Sequence, residues 1–176
     1  MVQDRLEEKQ ISFTRNYDRK LPRVTLDLLR MMQVFTNLYL NAIQAMGLRG
    51  KIKVTTSLDQ RAEGKGVKVT FADNGIGISP EERASIFEPF YTTRSDGTGL
   101  GLTIVRKIVE QHDGKVEVES KVGKYTRFKV FLPLKPRDAS LGKEGLPDIT
   151  SDERQAFPLA AEELATRLVS QLSEGW

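Results

Sequence analysis

Apolar residues along this chain change period several times, and each change marks an element. Ile11 and Phe13, then Val24 and Leu26, alternate with polar neighbours, as short half-buried strands do. From about 27 to 46, Met32, Phe35, Leu38, Tyr39, Ala42 and Met46 recur at helical spacing, which predicts a helix stopped by Gly47. Alternation returns over 51–57, with Ile52 and Val54 on one face. It returns again after the Gly64, Lys65, Gly66 turn, at Val67, Val69 and Phe71. Ser79, Pro80, Glu81 and Glu82 carry a helix-start signature: an N-cap serine, proline at the first helical position and a glutamate that closes a capping box. A glycine-rich stretch over 97–101 leads into a helix that runs to about 112 and ends at Asp113 and Gly114. Val116 and Val118, then Phe128, Val130 and Leu132, read as two last strands before Pro133 and Pro136. The mixture predicts an α+β fold: a two-layer sandwich whose mixed sheet is covered on one face by helices.

Beyond that unit, 137–157 has loop composition. Leu164, Leu168 and Leu172 then form one stripe of an amphipathic helix over about 159–172. The 176 residues therefore suit one domain plus a tail. With 39% hydrophobic and 29% charged residues the chain is of soluble globular type. It has no cysteine, which excludes disulfides and thiolate metal sites and fits a reducing compartment. Net charge is +3 with acids and bases intermixed, so no basic block exists to track nucleic acid. Residues 31–48 carry no charge, yet Gln33, Thr36, Asn37, Asn41 and Gln44 make them too polar to span a bilayer. Asp4, Glu7 and Glu8 interrupt any signal-peptide pattern.

Those neutral amides are the first candidate chemistry. Gln33, Asn37, Asn41 and Gln44 share one helix face, opposite the apolar one. Asparagine costs a helix roughly 0.5 kcal/mol against alanine, and a merely solvated face is made more cheaply from Glu, Lys or Arg. The stripe therefore suits a site, where an amide oxygen can ligate a hard cation such as Mg²⁺. A partly exposed polar face is the competing reading. Asp73 has the parity of Val67, Val69 and Phe71 and so points inward, where a carboxylate needs a donor such as an amino group of a ligand. Gly75 and Gly77 follow it and would allow close backbone approach. Asp73, Asn74 and Gly75 are also a common turn composition, so a plain strand-end turn is the competing reading. Gly97, Thr98, Gly99, Leu100, Gly101 and Leu102 run into a helix start, an arrangement suited to phosphate, although the spacing matches neither a dinucleotide fingerprint nor a P-loop. Thr126 shares the inward parity of Phe128, Val130 and Leu132, as a base-recognition partner for Asp73 or as an ordinary β-branched strand residue.

In this order the segments resemble the histidine-kinase branch of the ATPase superfamily that also includes gyrase, a heat-shock chaperone and mismatch-repair ATPases. Residues 33–46 resemble its N box, 73–77 its G1 box, 87–93 (FEPFYTT) its F box and 97–102 its G2 box. The likeness covers about 11–134. It implies a Bergerat-type fold, with a five-stranded sheet and about three helices, that binds ATP or ADP with Mg²⁺. It assigns Asn41 to the metal and Asn37 to the phosphate and metal side, these two amides being the catalytic pair. Asp73 would accept from the adenine amino group beside Gly75, Gly77 and Thr126. Residues 90–99, including Phe90, Thr93, Arg94, Gly97, Thr98 and Gly99, would form a lid. Arg94 and the amides of Gly97 to Leu102 would lie near the phosphates. The family often carries lysine three residues after the metal asparagine. Here Gln44 stands there, so phosphate charge must be met elsewhere, with Arg94 as the candidate. Both this glutamine and the short lid resemble the nitrogen-regulation sensor kinases.

Asparagine at 37, where the hydrolytic relatives place glutamate, cannot serve as a general base, which favours phosphoryl transfer over hydrolysis. The resemblance implies a protein-histidine kinase domain. Its acceptor would lie on a separate histidine-bearing dimerisation domain, of which 1–10 would be a remnant, with a response regulator as the indirect partner. The domain would be cytoplasmic, within a membrane-anchored sensor. Residues 11–135 would bind ATP and 136–176 would be linker and tail helix. His112, the single histidine, ends a helix and is read as a helix-terminal residue rather than the acceptor. Two alternatives fit the same residues: a serine kinase that binds a sigma factor, and a binding module without catalysis.

Overall fold

The computed structural model describes residues 10–22, 24, 26–61, 64–94 and 97–134. The expected N-terminal stub up to residue 9, the 137–157 loop and the 159–172 helix lie outside the described residues. Five strands and three helices follow one another among them: β1 (Ser12–Asn16), α1 (Leu28–Ala45), β2 (Lys51–Arg61), β3 (Gly64–Asp73), α2 (Pro80–Arg83), α3 (Gly101–Gln111), β4 (Lys115–Lys121) and β5 (Tyr125–Pro133). They form one sheet in the order β1-β2-β3-β5-β4. β1 runs parallel to β2, and every other pairing is antiparallel, so the sheet is mixed as expected. Val24 makes only an isolated bridge, because the alternation around it is too short to sustain a ladder.

Strand parity decides which side chains meet the helices. Ile52, Val54, Val67, Val69, Phe71, Phe128, Val130 and Leu132 are buried on one face. Against it lies α1, whose Met31, Val34, Phe35, Leu38, Tyr39, Ala42 and Ile43 fall on one stripe. Phe35 stacks on Phe71 with ring centroids 5.1 Å apart, joining helix to sheet. The opposite face is polar and laced with ion pairs such as Arg61–Glu117 at 2.8 Å. Phe131 breaks that alternation. It belongs to the polar face and is buried there, with the Arg61 guanidinium 4.6 Å from its ring centroid.

The helix ends are specified locally. Asp27 caps α1 by accepting from the Arg30 N–H at 3.0 Å. The capping box at α2 forms as expected, with Glu82 N–H donating to Ser79 Oγ at 3.1 Å and Ser79 N–H to Glu82 Oε2 at 2.8 Å. His112, just past α3, joins two helices. Its Nε2 accepts from the Asp27 N–H at 3.0 Å, and its Nδ1 lies 2.8 Å from the Ile108 carbonyl oxygen. A carbonyl only accepts, so Nδ1 carries the proton and the ring is the neutral tautomer with both nitrogens occupied. His112→Ala is expected to lower the unfolding free energy by about 1–2 kcal/mol in urea titration, the sum of two modest hydrogen bonds. Nucleotide affinity should be unchanged.

Candidate active site

One cleft of about 690 Å³ opens between α1, the end of β3, the 90–99 segment and the start of α3. Its size is ordinary for a nucleotide-sized ligand. At one end stands Asp73, the last residue of β3 and only 6% exposed. Its Oδ1 accepts from the Gly75 N–H at 2.8 Å, and it faces Thr126 across the β3–β5 ladder. Burial pushes its carboxyl up to about 6, against the lowering effect of the Gly75 and Thr126 backbone N–H groups. A carboxylate held this way is ionised at neutral pH, and its two oxygens offer about four lone-pair sites, so acceptor capacity remains beyond the Gly75 and Thr126 N–H groups. It is built to accept from a ligand donor.

The turn after Asp73 is held from two sides. Ile76 N–H donates to the Ala45 carbonyl at the end of α1 at 3.0 Å, and the Ile76 carbonyl accepts from Gly123 N–H at 2.6 Å. Gly77 has φ +74 and lies against the Lys121 carbonyl, where any Cβ would overlap it. This brings the β4–β5 hairpin turn over the cleft, so Ile76 and Val122 line the same end as Asp73. Ser120 organises the corner. Its hydroxyl accepts from Ile78 N–H at 2.8 Å, donates to the Tyr125 carbonyl at 2.7 Å and lies 3.1 Å from Thr126 Oγ1.

The other end is made by α3. Its N-cap is Leu100, which gives no side-chain hydrogen bond, so the first-turn N–H groups are left for an anionic ligand. Asn37 stands opposite. Its Nδ2 donates to the Gln33 carbonyl at 2.9 Å, which turns Oδ1 toward Gly101. One turn further along α1, Asn41 has its Nδ2 buried without a hydrogen-bond partner among the described residues. Such an orphan donor costs about 1–3 kcal/mol unless a ligand or solvent meets it. Gln44 comes next, and its Oε1 accepts from Arg94 Nη1. The base of the 90–99 segment is pinched. Phe90 has φ +64, and Gly99, at φ +68, packs on its backbone with no room for a Cβ.

Residues 26–136 match the family model described as "Histidine kinase-, DNA gyrase B-, and HSP90-like ATPase". The chain belongs to this family. Within it, the sensor histidine kinase ZraS of Escherichia coli O157:H7 is 47% identical over 127 residues, 72% of this chain and 26% of that protein. The sensory histidine kinase/phosphatase NtrB of Rhodobacter capsulatus is 39% identical over 132 residues, 70% of this chain and 37% of that one. The catalytic domain of histidine kinase ThkA superposes with a TM-score of 0.64 at 37% identity, over 74% of this chain and 83% of that one. The fold and sequence are those of a sensor histidine kinase catalytic domain. The chain spans about a quarter of the length of the ZraS relatives.

The histidine-kinase-like cleft gathers most of the residues singled out from sequence: Asn37, Asn41, Asp73, Gly77, Thr126 and, from the lid side, Thr93 and Arg94. Gly97, Thr98, Gly99, Gly101 and Leu102 also form its wall. Gly75, Phe90 and Leu100 are not part of that wall. Gly75 lies behind Asp73 against Ala45, Leu100 caps α3, and Phe90 is 74% exposed. Sequence reasoning missed Ser120, Ile76 and Val122. The available signal for the last two was an exposed aliphatic residue in each of two turns, where polar residues are usual.

Proposed function

We propose that this domain binds ATP with Mg²⁺ and transfers the γ-phosphoryl group to a histidine on a separate dimerisation domain of the same kinase, with a response regulator as the later recipient. The carrying observation is one cleft with a buried carboxylate at one end, an uncapped helix N-terminus at the other, and an unpartnered buried amide between. Asp73 would accept from the exocyclic amino group of adenine, with Thr126 beside it and Ile76 and Val122 against the ring faces. Guanine offers a carbonyl at that position and would repel the carboxylate. The α3 N–H groups and Arg94 would take the phosphates. Among the described residues there is no cluster of three carboxylate or imidazole groups to hold a metal. A cation here would therefore take the Asn41 amide oxygen together with phosphate oxygens, a donor set that suits Mg²⁺. When bound, Mg²⁺ would offset charge on the transferring phosphoryl group.

Asn37 separates transfer from hydrolysis. It lies beside the α3 N-terminus and cannot take a proton from water. It can only orient phosphate or metal, so an acceptor histidine must come from outside the cleft; His112 already uses both ring nitrogens. The P–N bond would form on that histidine as the P–O bond to ADP breaks. We assign the ATP-binding unit to 11–135 and read 136–176 as linker and helix. Among the described residues no helix is long and apolar enough to cross a membrane. The reading places the domain in the cytoplasm as part of a membrane-anchored sensor.

The test supplies a separately purified histidine hairpin with Mg²⁺ and ATP labelled at the γ position. Acid-labile label on the hairpin is the expected result. Acid-stable label would indicate a serine kinase instead. Tight nucleotide binding with no transfer to any hairpin would count against the proposal.

A further inference from the structure

Arg94 is the sole lysine or arginine among the described residues that line the cleft. It is half-buried and donates through Nη1 to Gln44 Oε1, a contact spanning 50 residues of sequence. Gln44 sits three residues after Asn41 and seven after Asn37, on the same face of α1. The guanidinium is thereby fixed about one helix turn from the metal-side amide. Two features of this pairing are informative. Arginine has a long side chain with large rotamer freedom, so an anchor on α1 narrows its range before any ligand arrives. The anchor is an amide, which accepts a hydrogen bond and contributes no charge. A carboxylate of the same length would hold the head equally well and would offset its charge where polyphosphate needs it.

We propose that Gln44 is a positioning residue for polyphosphate: a neutral tether that presents the Arg94 guanidinium in the cleft without opposing its charge. This rests on the nucleotide reading above and adds a determinant of triphosphate over nucleoside affinity. Gln44 itself need not touch the ligand.

Calorimetric titration of the chain with ATP and, separately, adenosine, both with Mg²⁺, tests this. Adenosine reports the base end and the fold, while the ratio of ATP to adenosine affinity isolates the phosphate end. Gln44→Leu should lower that ratio about tenfold and Gln44→Glu about a hundredfold, with adenosine affinity unchanged. Arg94→Leu should lower it at least as far as Gln44→Leu. In the Arg94→Leu background Gln44→Leu should then have no further effect, since the amide would have nothing left to hold. A ratio unmoved by both Gln44 variants, or an additive double variant, would overturn the proposal. If Gln44→Glu loses adenosine binding, the leucine cycle alone decides. A wild-type protein that binds neither ligand would instead remove the nucleotide reading, and this inference with it.

Discussion

Asp73→Asn is expected to weaken ADP binding at least about a hundredfold while leaving the domain folded. In the wild type the carboxylate accepts from the Gly75 and Thr126 backbone N–H groups and, as an acceptor-only group in the cleft lining, has lone pairs left for a ligand donor. An asparagine can keep one of these bonds through its oxygen, but its NH₂ group then meets a donor, either a backbone N–H or the ligand amino group. The loss is that of a charged acceptor plus the cost of a mispaired buried donor, which together exceed an ordinary hydrogen bond. Calorimetric titration with ADP and Mg²⁺ gives the number. Affinity within tenfold of wild type would remove Asp73 from the role of purine reader.

The same residue fixes a pH signature. Its carboxyl is pushed up to about 6 by burial, well above the ordinary 3.8. A ligand amino group favours the ionised form, so binding should release a proton near pH 5–6, and ADP affinity should fall as pH drops through about 6. Stability moves the opposite way. Folded protein takes up this proton more readily than unfolded protein, so the ionised carboxylate works against the apo fold above about pH 6. That penalty shrinks as pH falls from about 6 toward 3.8. The gap between the two values corresponds to about 3 kcal/mol at most. Asp73→Asn should lack this dependence, so comparing apo unfolding curves of the two proteins at pH 7.5 and 5 isolates it. The site thus keeps a buried charge that the fold alone would not favour, as expected of a group serving the proposed role of base-reading acceptor.

How much of this was legible in the chain depends on the range of the contact. Asp73 and Thr126 were readable because strand parity is local: each continues an apolar alternation, and the ladder then pairs them. The capping box at Ser79 was readable for the same reason. The extent of β2 was not. Beyond Ser57, Asp59 and Arg61 face the polar side, where they pair with Lys68 and Glu117 across the sheet, so the apolar signal fades while the strand continues. The hub at Ser120 was invisible because it joins Ile78, 42 residues away, through a hydroxyl that no pattern marks. The Gln44–Arg94 contact was hidden likewise. Arg94 could be named as a cation for phosphate, but its anchor on α1 depends on how the lid meets the helix.

Asn41→Ala should separate binding from chemistry most sharply. The wild-type amide lies in the cleft between Asp73 and the α3 N-terminus, with its Nδ2 buried and unpartnered among the described residues. In the apo protein that orphan is a liability, and asparagine is also a poorer helix former than alanine by about 0.5 kcal/mol or more. Alanine at 41 should therefore leave the apo domain as stable as before, or more so by about 1 kcal/mol. A phosphate oxygen accepting from Nδ2 while Oδ1 takes the metal would offset that cost. With the amide gone, the metal loses the protein ligand assigned to it here. The Mg²⁺-dependent part of ADP affinity should then largely vanish, while adenosine affinity, set by Asp73 at the other end, should persist. Phosphoryl transfer should fall by about 10²–10³-fold or more, the usual consequence of removing one group aimed at developing charge. Titrations with and without Mg²⁺, beside a single-turnover transfer assay, give the three quantities. Full transfer in the alanine variant, or an undiminished Mg²⁺ effect on ADP affinity, would take the metal away from Asn41 and leave it a packing residue of α1.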